Sequence, residues 1–236
     1  GETMSNGTQI IKRDGTKEHL NIDKIHKVVE FACQGLAGVS SSQIEMNANL
    51  QFYDGMSTQE IQEVLIRSAN DLIDLDSPNY QFAAARLLSY SLNKQVFGEF
   101  DAISFQEIID KNIDRGLYDS AILDSYNKDE IAMLGRYIHH KRDENFTYAG
   151  MRQVVDKYLV QDRSTGEIFE TPQFMYMMIA ATLFANYPAE TRMHYVRRYY
   201  DATSLFKVNI PTPVMAGVRT PVRQFASCVL VDSNDT

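Results

Sequence analysis

Cysteine is scarce in this chain of 236 residues: Cys33 and Cys228 are its whole complement. Two thiols supply neither a disulfide framework nor the ligand quartet of a structural zinc site. No apolar run approaches the length of a membrane span, and no charged-then-apolar leader opens the chain. Positive charge is also in deficit. With 23 Lys and Arg against 31 Asp and Glu, the formal net charge is −8, which disfavours a nucleic-acid backbone as partner because such binders present clustered cations. These absences leave the cytoplasm as the default compartment, with neither membrane nor nucleic acid expected as a partner. What is there is globular: 44% apolar and 23% charged residues argue against wholesale disorder, and the length permits a substantial core in one large or two ordinary domains.

Residues 1–8, with an internal Met4, read as an appended remnant outside the fold. Gln9–Lys12 and Lys17–Leu20 read as strands around an Arg13-Asp14-Gly15-Thr16 turn, a hairpin signal. Asn21 or Asp23 caps the next helix, whose apolar stripe is Ile25, Val28, Val29 and Ala32 before Gly35. A further segment, roughly 41–52, carries Ile44, Ala48 and Phe52 on one side. Ser57-Thr58-Gln59-Glu60 has the form of a capping box ahead of Ile61, Val64, Leu65, Ala69 and Leu72. Pro78 stands near the start of a fourth helix that runs through Phe97 to Gly98. This is a module of about a hundred residues, a size able to fold alone. Lys12, Arg13, Lys24 and Lys94 are its scattered cations, and such lysines are ordinarily solvated surface charge.

From Ser104 to Gln161 the pattern is a helical connector, with one stripe at Phe105, Ile108, Ile109 and Ile113 and another at Ile131, Leu134, Tyr137 and Ile138. His139-His140 with Asp143 and Glu144 invites a metal reading, but adjacent helical histidines point about 100° apart. A solvated, charged helix end is the expectation, with no metal held by protein ligands. Lys157–Val160 and Glu167–Glu170 read as a hairpin around a Gly166-containing loop. Thr171 then caps a helix beginning at Pro172, whose apolar residues wrap too far round for a surface helix, so deep burial is expected. A second helix, Ala189 to Phe206, is basic on one side at Arg192, Arg197 and Arg198 and aromatic on the other at Tyr195 and Tyr199. Against the negative balance of the chain, packing plus a solvated face explains it better than nucleic-acid binding.

The stretch Lys207–Val231, KVNIPTPVMAGVRTPVRQFASCVLV, organises the rest. Pro211, Pro213 and Pro221 are expected to forbid continuous helix and to bias Ile210, Thr212 and Thr220 toward extended backbone. The run Val229-Leu230-Val231 suits a buried strand with Ser227 and Cys228 at its start. By itself, a cysteine beside an apolar strand is usually a small buried hydrophobe. However, PTPVMAGVRTPVRQFASCVLV resembles the start of the catalytic barrel in the large (alpha) subunit of class I ribonucleotide reductases. The resemblance implies that Thr212 contacts the substrate diphosphate or ribose and that Ser227 and Cys228 line the same pocket. It also implies that Cys228 is one of two thiols that reduce the ribose at its 2′ carbon, becoming half of a disulfide. Two sulfurs suit this work because they store two electrons as one bond. Asp235 looks like the first residue of an allosteric specificity site, with Asn234 where glycine is usual.

Near the other end, IIKRDGTKEHLNIDKI is similar to the opening of the ATP-cone, the nucleotide module in front of many ribonucleotide reductases. QFYDGMSTQEIQEVLIRSA and SPNYQFAAARLLSYSLNK continue the similarity through Lys94. It implies that Lys12, Arg13 and Lys94 neutralise the triphosphate of ATP or dATP, a polyanion that needs several cations and brings Mg2+ with it. Glu18 and Asn21 are assigned to the adenine edge. Between and beyond them His19, Leu20, Ile22, Asp23, Lys24 and Ile25 line the pocket, with Thr58 nearby. Gln62 and Ser91 stand where close relatives often carry histidines; both hydrogen-bond, but neither becomes a cation.

The resemblance runs from about Ile10 to Asp235. It implies a mostly α fold with small β elements: an ATP-cone over 9–100 built of a β-hairpin and four helices, a helical domain over 101–206, and over 207–236 the first strand of a truncated ten-stranded α/β barrel. The implied activity is reduction of ribonucleoside diphosphates to 2′-deoxyribonucleoside diphosphates. Implied partners are a small (beta) subunit whose metal centre generates a radical, thioredoxin or glutaredoxin as reductant, and a second large subunit. No Asn-x-Cys-x-Glu loop is present, so the chain resembles an N-terminal fragment and is expected not to turn over substrate alone. Two alternatives stand beside this reading. A stand-alone nucleotide-binding regulator built on the cone is one, although its zinc-ribbon version needs four cysteines. A helical scaffold without catalysis is the other.

Overall fold

The computed structural model describes residues 8–98 and 101–221. They form two compact units: the residues up to Leu92 together with Glu144–Arg152, and Asn93–Asp143 together with the residues from Gln153 on.

In the first unit, β1 (Gln9–Ile11) and β2 (Lys17–His19) pair antiparallel, with Ile10 opposite Glu18 and Ile11 opposite Lys17. Asp14 builds the turn between them, accepting from the backbone N–H and the hydroxyl of Thr16 at 2.9 and 2.6 Å, while Gly15 takes φ 85°. Glycine reaches that conformation without the Cβ penalty. The sheet has a strand beyond the expected hairpin. β3 (Met56–Ser57) pairs parallel with β1, giving the order β2-β1-β3. Two residues are too few for alternation to register in a sequence.

Four helices follow the expected segments: α1 (Ile22–Cys33), α2 (Ser41–Asn49), α3 (Thr58–Asn70) and α4 (Tyr80–Phe97). Asn21 caps α1, its side-chain oxygen accepting from the Lys24 N–H at 3.0 Å; Ser40 and Ser57 cap α2 and α3 likewise. Val29, Ala32, Ile44, Ala48, Phe52, Ile61, Val64, Leu65 and Ala69 are buried and form this core, while Ile25, Val28 and Leu72 of the same stripes are half-buried at its edge. Glu60 differs from the capping-box expectation. Its carboxylate accepts from the Tyr53 hydroxyl, while Ser57 supplies the cap alone.

The second unit is helical: the end of α4, then α5 (Phe105–Asp114), α6 (Ala121–Ser125), α7 (Lys128–Tyr137), the end of α8 (Tyr148–Lys157), α9 (Pro172–Leu183), α10 (Ala189–Ser204) and α11 (Thr212–Gly217). Asn127 and Glu130 form a complete capping box on α7. Every residue of α9 from Pro172 to Ala181 is buried, the deep placement its all-round apolarity predicts. Val196 and Tyr200 face inward as α10 packs along α9. On the expected basic side of α10, Arg192 is an inward group: it forks onto Glu130 at 2.9 Å and lies 4.4 Å over the Tyr126 ring.

Four expectations are corrected. His139 to Glu144 is not a solvated helix end: the stretch forms a 3-10 helix (His140–Asn145) in which Asp143 is buried and accepts from Gln173 at 2.9 Å. The His140 ring meets Phe174 edge-on at 4.9 Å, and burial pushes its pKa down to about 4. Lys157 ends α8, so the expected strand shrinks to a bridge between Gln161 and Ile168 beside a Phe169 N–H to Val160 carbonyl bond of 3.0 Å. Thr171 occupies the N-cap position of α9 without capping it; its hydroxyl is buried and bonds to no described residue. Residues 212–217 are helix rather than extended chain. Pro211 is the N-cap of α11 and Pro213 lies in its first turn, where a missing N–H costs nothing, so the prolines start a helix instead of forbidding one. The strand expected at Val229–Val231, with Ser227, Cys228 and Asp235, lies outside the described residues.

Candidate functional site

The residues of the first unit that are assigned to a nucleotide gather around the β1–β2 hairpin. Lys12 directly follows β1 and its ammonium meets the Glu18 carboxylate across the hairpin at 2.8 Å, both groups half-exposed. That contact raises the Lys12 pKa and keeps the cation charged. Arg13 is exposed in the turn. Thr58 opens α3 and donates to the Ile11 carbonyl at 3.5 Å. Because Ile11 pairs with Ser57, Lys12 and Thr58 emerge side by side from the ends of two parallel strands.

On the other side of the hairpin, His19 is exposed at the end of β2 and Leu20 is buried, its N–H bonded to the Thr8 carbonyl at 2.7 Å. Asn21 spends its side-chain oxygen on the cap, which leaves its amide NH2 as the group that can donate outward. Ile22, Asp23, Lys24 and Ile25 form the first turn of α1. Asp23 there favours the positive helix end and disfavours a second anion. The electrostatics therefore divide the surface into a cationic side at Lys12 and Arg13 and a mixed donor and acceptor side at Glu18 and Asn21.

Gln62 and Ser91 hydrogen-bond to each other at 2.8 Å between α3 and α4. Two neutral side chains thus satisfy one another where neither adds charge. Lys94 lies in the last turn of α4, within the second unit. Among the described residues no group of three or more His, Cys, Asp or Glu is placed to hold a metal ion. Nor is any described helix long and apolar enough to cross a membrane.

Thr212 belongs to the second unit and is separate from this set. It is exposed at the start of α11, on a cavity of about 280 Å³ that Gln153, Tyr158, Tyr176, Asn209 and Met215 also line. Phe206, on the same cavity, has φ 61°. It closes α10 in a Schellman arrangement, with the Lys207 and Phe206 N–H groups bonded to the Ala202 and Thr203 carbonyls at 2.8 and 3.1 Å. Glycine is usual at that position, and an aromatic residue there costs about 1–2 kcal/mol.

Sequence reasoning passed over one cluster entirely. Arg219 and Glu170 are both completely buried and form an ion pair. Tyr118 donates to Glu170 at 2.5 Å and the Val160 N–H donates to it at 3.0 Å. The signal was an isolated charge in each of two otherwise apolar or small surroundings, IFETPQF and AGVRTPV.

Comparison with known proteins agrees with both halves. Residues 8–95 match the ATP cone domain, and residues 144–223 match the ribonucleotide reductase all-alpha domain. Over 233 residues, 99% of the chain, it is 47% identical to ribonucleoside-diphosphate reductase 1 subunit alpha of Escherichia coli (strain K12), covering 31% of that protein. It is 48% identical to the subunit alpha of Haemophilus influenzae with the same coverage of both chains. The subunit alpha of Enterobacteria phage T4 is 40% identical over 96% of the chain and 30% of its own length. The chain thus spans about a third of the length of these relatives. It belongs to the ribonucleoside-diphosphate reductase alpha-subunit family, of which it carries the ATP cone and the all-alpha domain.

Proposed function

We propose that the first unit binds ATP and dATP as the activity-regulating site of a class I ribonucleoside-diphosphate reductase. In this reading Lys12 and Arg13 take the triphosphate, while Glu18 accepts from the adenine amine and Asn21 donates to a ring nitrogen. Lys12 exchanges Glu18 for phosphate when the nucleotide arrives, and that exchange frees Glu18 for the base. Thr58 adds a hydroxyl beside the phosphates. Mg2+ fits as a passenger on the phosphate oxygens, since the described residues offer it no carboxylate set of their own. The observation that carries the reading is the Lys12–Glu18 pair, a cation and an acceptor held half-exposed at 2.8 Å on the hairpin of an ATP cone domain.

The subunit as a whole reduces ribonucleoside diphosphates to 2′-deoxyribonucleoside diphosphates for DNA synthesis. Thr212 and Ser227 serve the substrate, and Cys228 is one thiol of the reducing pair. Asp235 begins the specificity site. A small radical-generating subunit, a second large subunit and thioredoxin or glutaredoxin complete the system. The family membership and the exposed position of Thr212 on a cavity wall support this.

Calorimetric titration of the 236-residue chain with Mg-ATP tests the regulatory half. One saturable site is expected. Absence of saturable heat favours the scaffold alternative.

A further inference from the structure

Arg219 spends every nitrogen of its guanidinium inside the protein. Nε and Nη2 bond the Glu170 carboxylate, Nη2 also donates to the Tyr158 carbonyl at 2.8 Å, and Nη1 donates to the Met215 carbonyl at 2.7 Å. The Arg219 carbonyl in turn accepts from the Asp119 N–H at 3.0 Å. The two backbone acceptors are not arbitrary. Tyr158 and Met215 both line the cavity that Thr212 faces, Tyr158 just past the end of α8 and Met215 one turn along α11 from Thr212 itself. One side chain therefore ties two walls of the cavity together. Glu170, two residues ahead of α9, anchors it, and Tyr118 and the Val160 N–H hold Glu170 in turn.

A completely buried ion pair is a poor source of stability, because desolvation offsets most of the attraction and an apolar pair of similar volume often does as well. What four directional bonds from a planar, permanently charged fork do supply is a fixed geometry. We propose that Arg219 is a positioning residue for the substrate site: held by Glu170, it sets the placement of α11 and so of Thr212 against the Tyr158 wall. This rests on the reading of Thr212 as a substrate contact. Lysine cannot reproduce it, having one nitrogen where the site uses three.

The test uses the full-length alpha subunit carrying these residues with its small subunit. Thr212→Ala, Arg219→Lys, the double variant and the milder Tyr118→Phe are compared by KM and kcat for a ribonucleoside diphosphate, with Tm recorded and each assay run well below it. Arg219→Lys is expected to raise KM roughly 5- to 20-fold with kcat within about twofold. Tyr118→Phe keeps both charges and is expected to raise KM about two- to fivefold. If Arg219 acts through Thr212, the double variant is no worse than Thr212→Ala alone. A rise in KM for Thr212→Ala with none for Arg219→Lys or Tyr118→Phe overturns the positioning role and leaves the Thr212 reading standing. Multiplying effects in the double variant also overturn it. No change in KM for Thr212→Ala removes the Thr212 reading and the inference with it. If Arg219→Lys does not fold, Tyr118→Phe alone decides: a lower Tm with unchanged KM means the cluster is only structural.

Discussion

Glu18 holds Lys12 in the free protein and is assigned to the adenine amine in the bound one, so one substitution separates its two duties. Glu18→Ala removes the acceptor for the adenine amine and also releases Lys12. ATP affinity is expected to fall about 3- to 10-fold, the worth of one hydrogen bond, while affinity for ITP, which lacks the amine, holds or rises. Equal losses for both nucleotides contradict the assignment. His140 makes a prediction of a different kind. Its ring sits among Phe97 and Phe174, and burial holds its pKa at about 4, below the ordinary histidine value of 6.5. Between those values the unfolded chain binds a proton that the folded chain refuses, so stability rises with pH through this window and falls as pH drops from 6.5 toward 4. The loss amounts to as much as roughly 3 kcal/mol and levels off below the folded pKa. Urea midpoints measured across that range should show this slope, and His140→Leu should flatten it. Identical slopes in both proteins contradict the burial argument.

At the level of elements, α5 and α7 meet where Gly135 lies against Phe105. A Cβ added at Gly135 comes to 3.0 Å from the Phe105 Cβ, an atom that no rotamer change can move away. Alanine gains about 1 kcal/mol of helix propensity over glycine, yet overpacking costs about 1–3 kcal/mol. Gly135→Ala is therefore expected to lower stability by up to about 2 kcal/mol, read as a lower urea midpoint at unchanged m-value. A stabilised variant shows that the helices part easily here. The elements most legible in the sequence were those set by local chemistry. Asn21 and Ser57 cap their helices as their positions predict, and most of the apolar residues in the stripes that follow them are buried. The hairpin turn was legible for the same reason, because Asp14 and Gly15 act within four residues. β3 was not, since two residues carry no period. α11 was misread because proline both breaks helices and begins them, and only the frame around Pro211 and Pro213 decides which. The burial of His140 and the Glu170–Arg219 pair come from contacts 34 to 49 positions apart, and no local pattern encodes them.

For the whole molecule, the candidate sites were legible through resemblance more than through residue physics. Lys12, Arg13 and Lys94 by themselves read as ordinary surface cations, and only the register of β1 with β2 and β3 brings Lys12 to Glu18 and Thr58 to the end of β1. The two units carry separate chemistry: a hairpin surface with a paired cation and acceptor in one, and a cavity with Thr212 in the other. Substitutions in the second unit such as Arg219→Lys should accordingly leave ATP affinity of the first unchanged. Coupled losses contradict that separation.

The most direct measurement is the affinity of the chain for ATP, ADP and AMP, by calorimetry in the presence of Mg2+, for the wild type and for Lys12→Ala with Arg13→Ala. If the cations at the hairpin turn read the phosphate tail, wild-type affinity falls stepwise from ATP to AMP by about tenfold or more, and the double substitution collapses the series toward the AMP value. A flat series in the wild type, or a gradient that survives the loss of both cations, contradicts it.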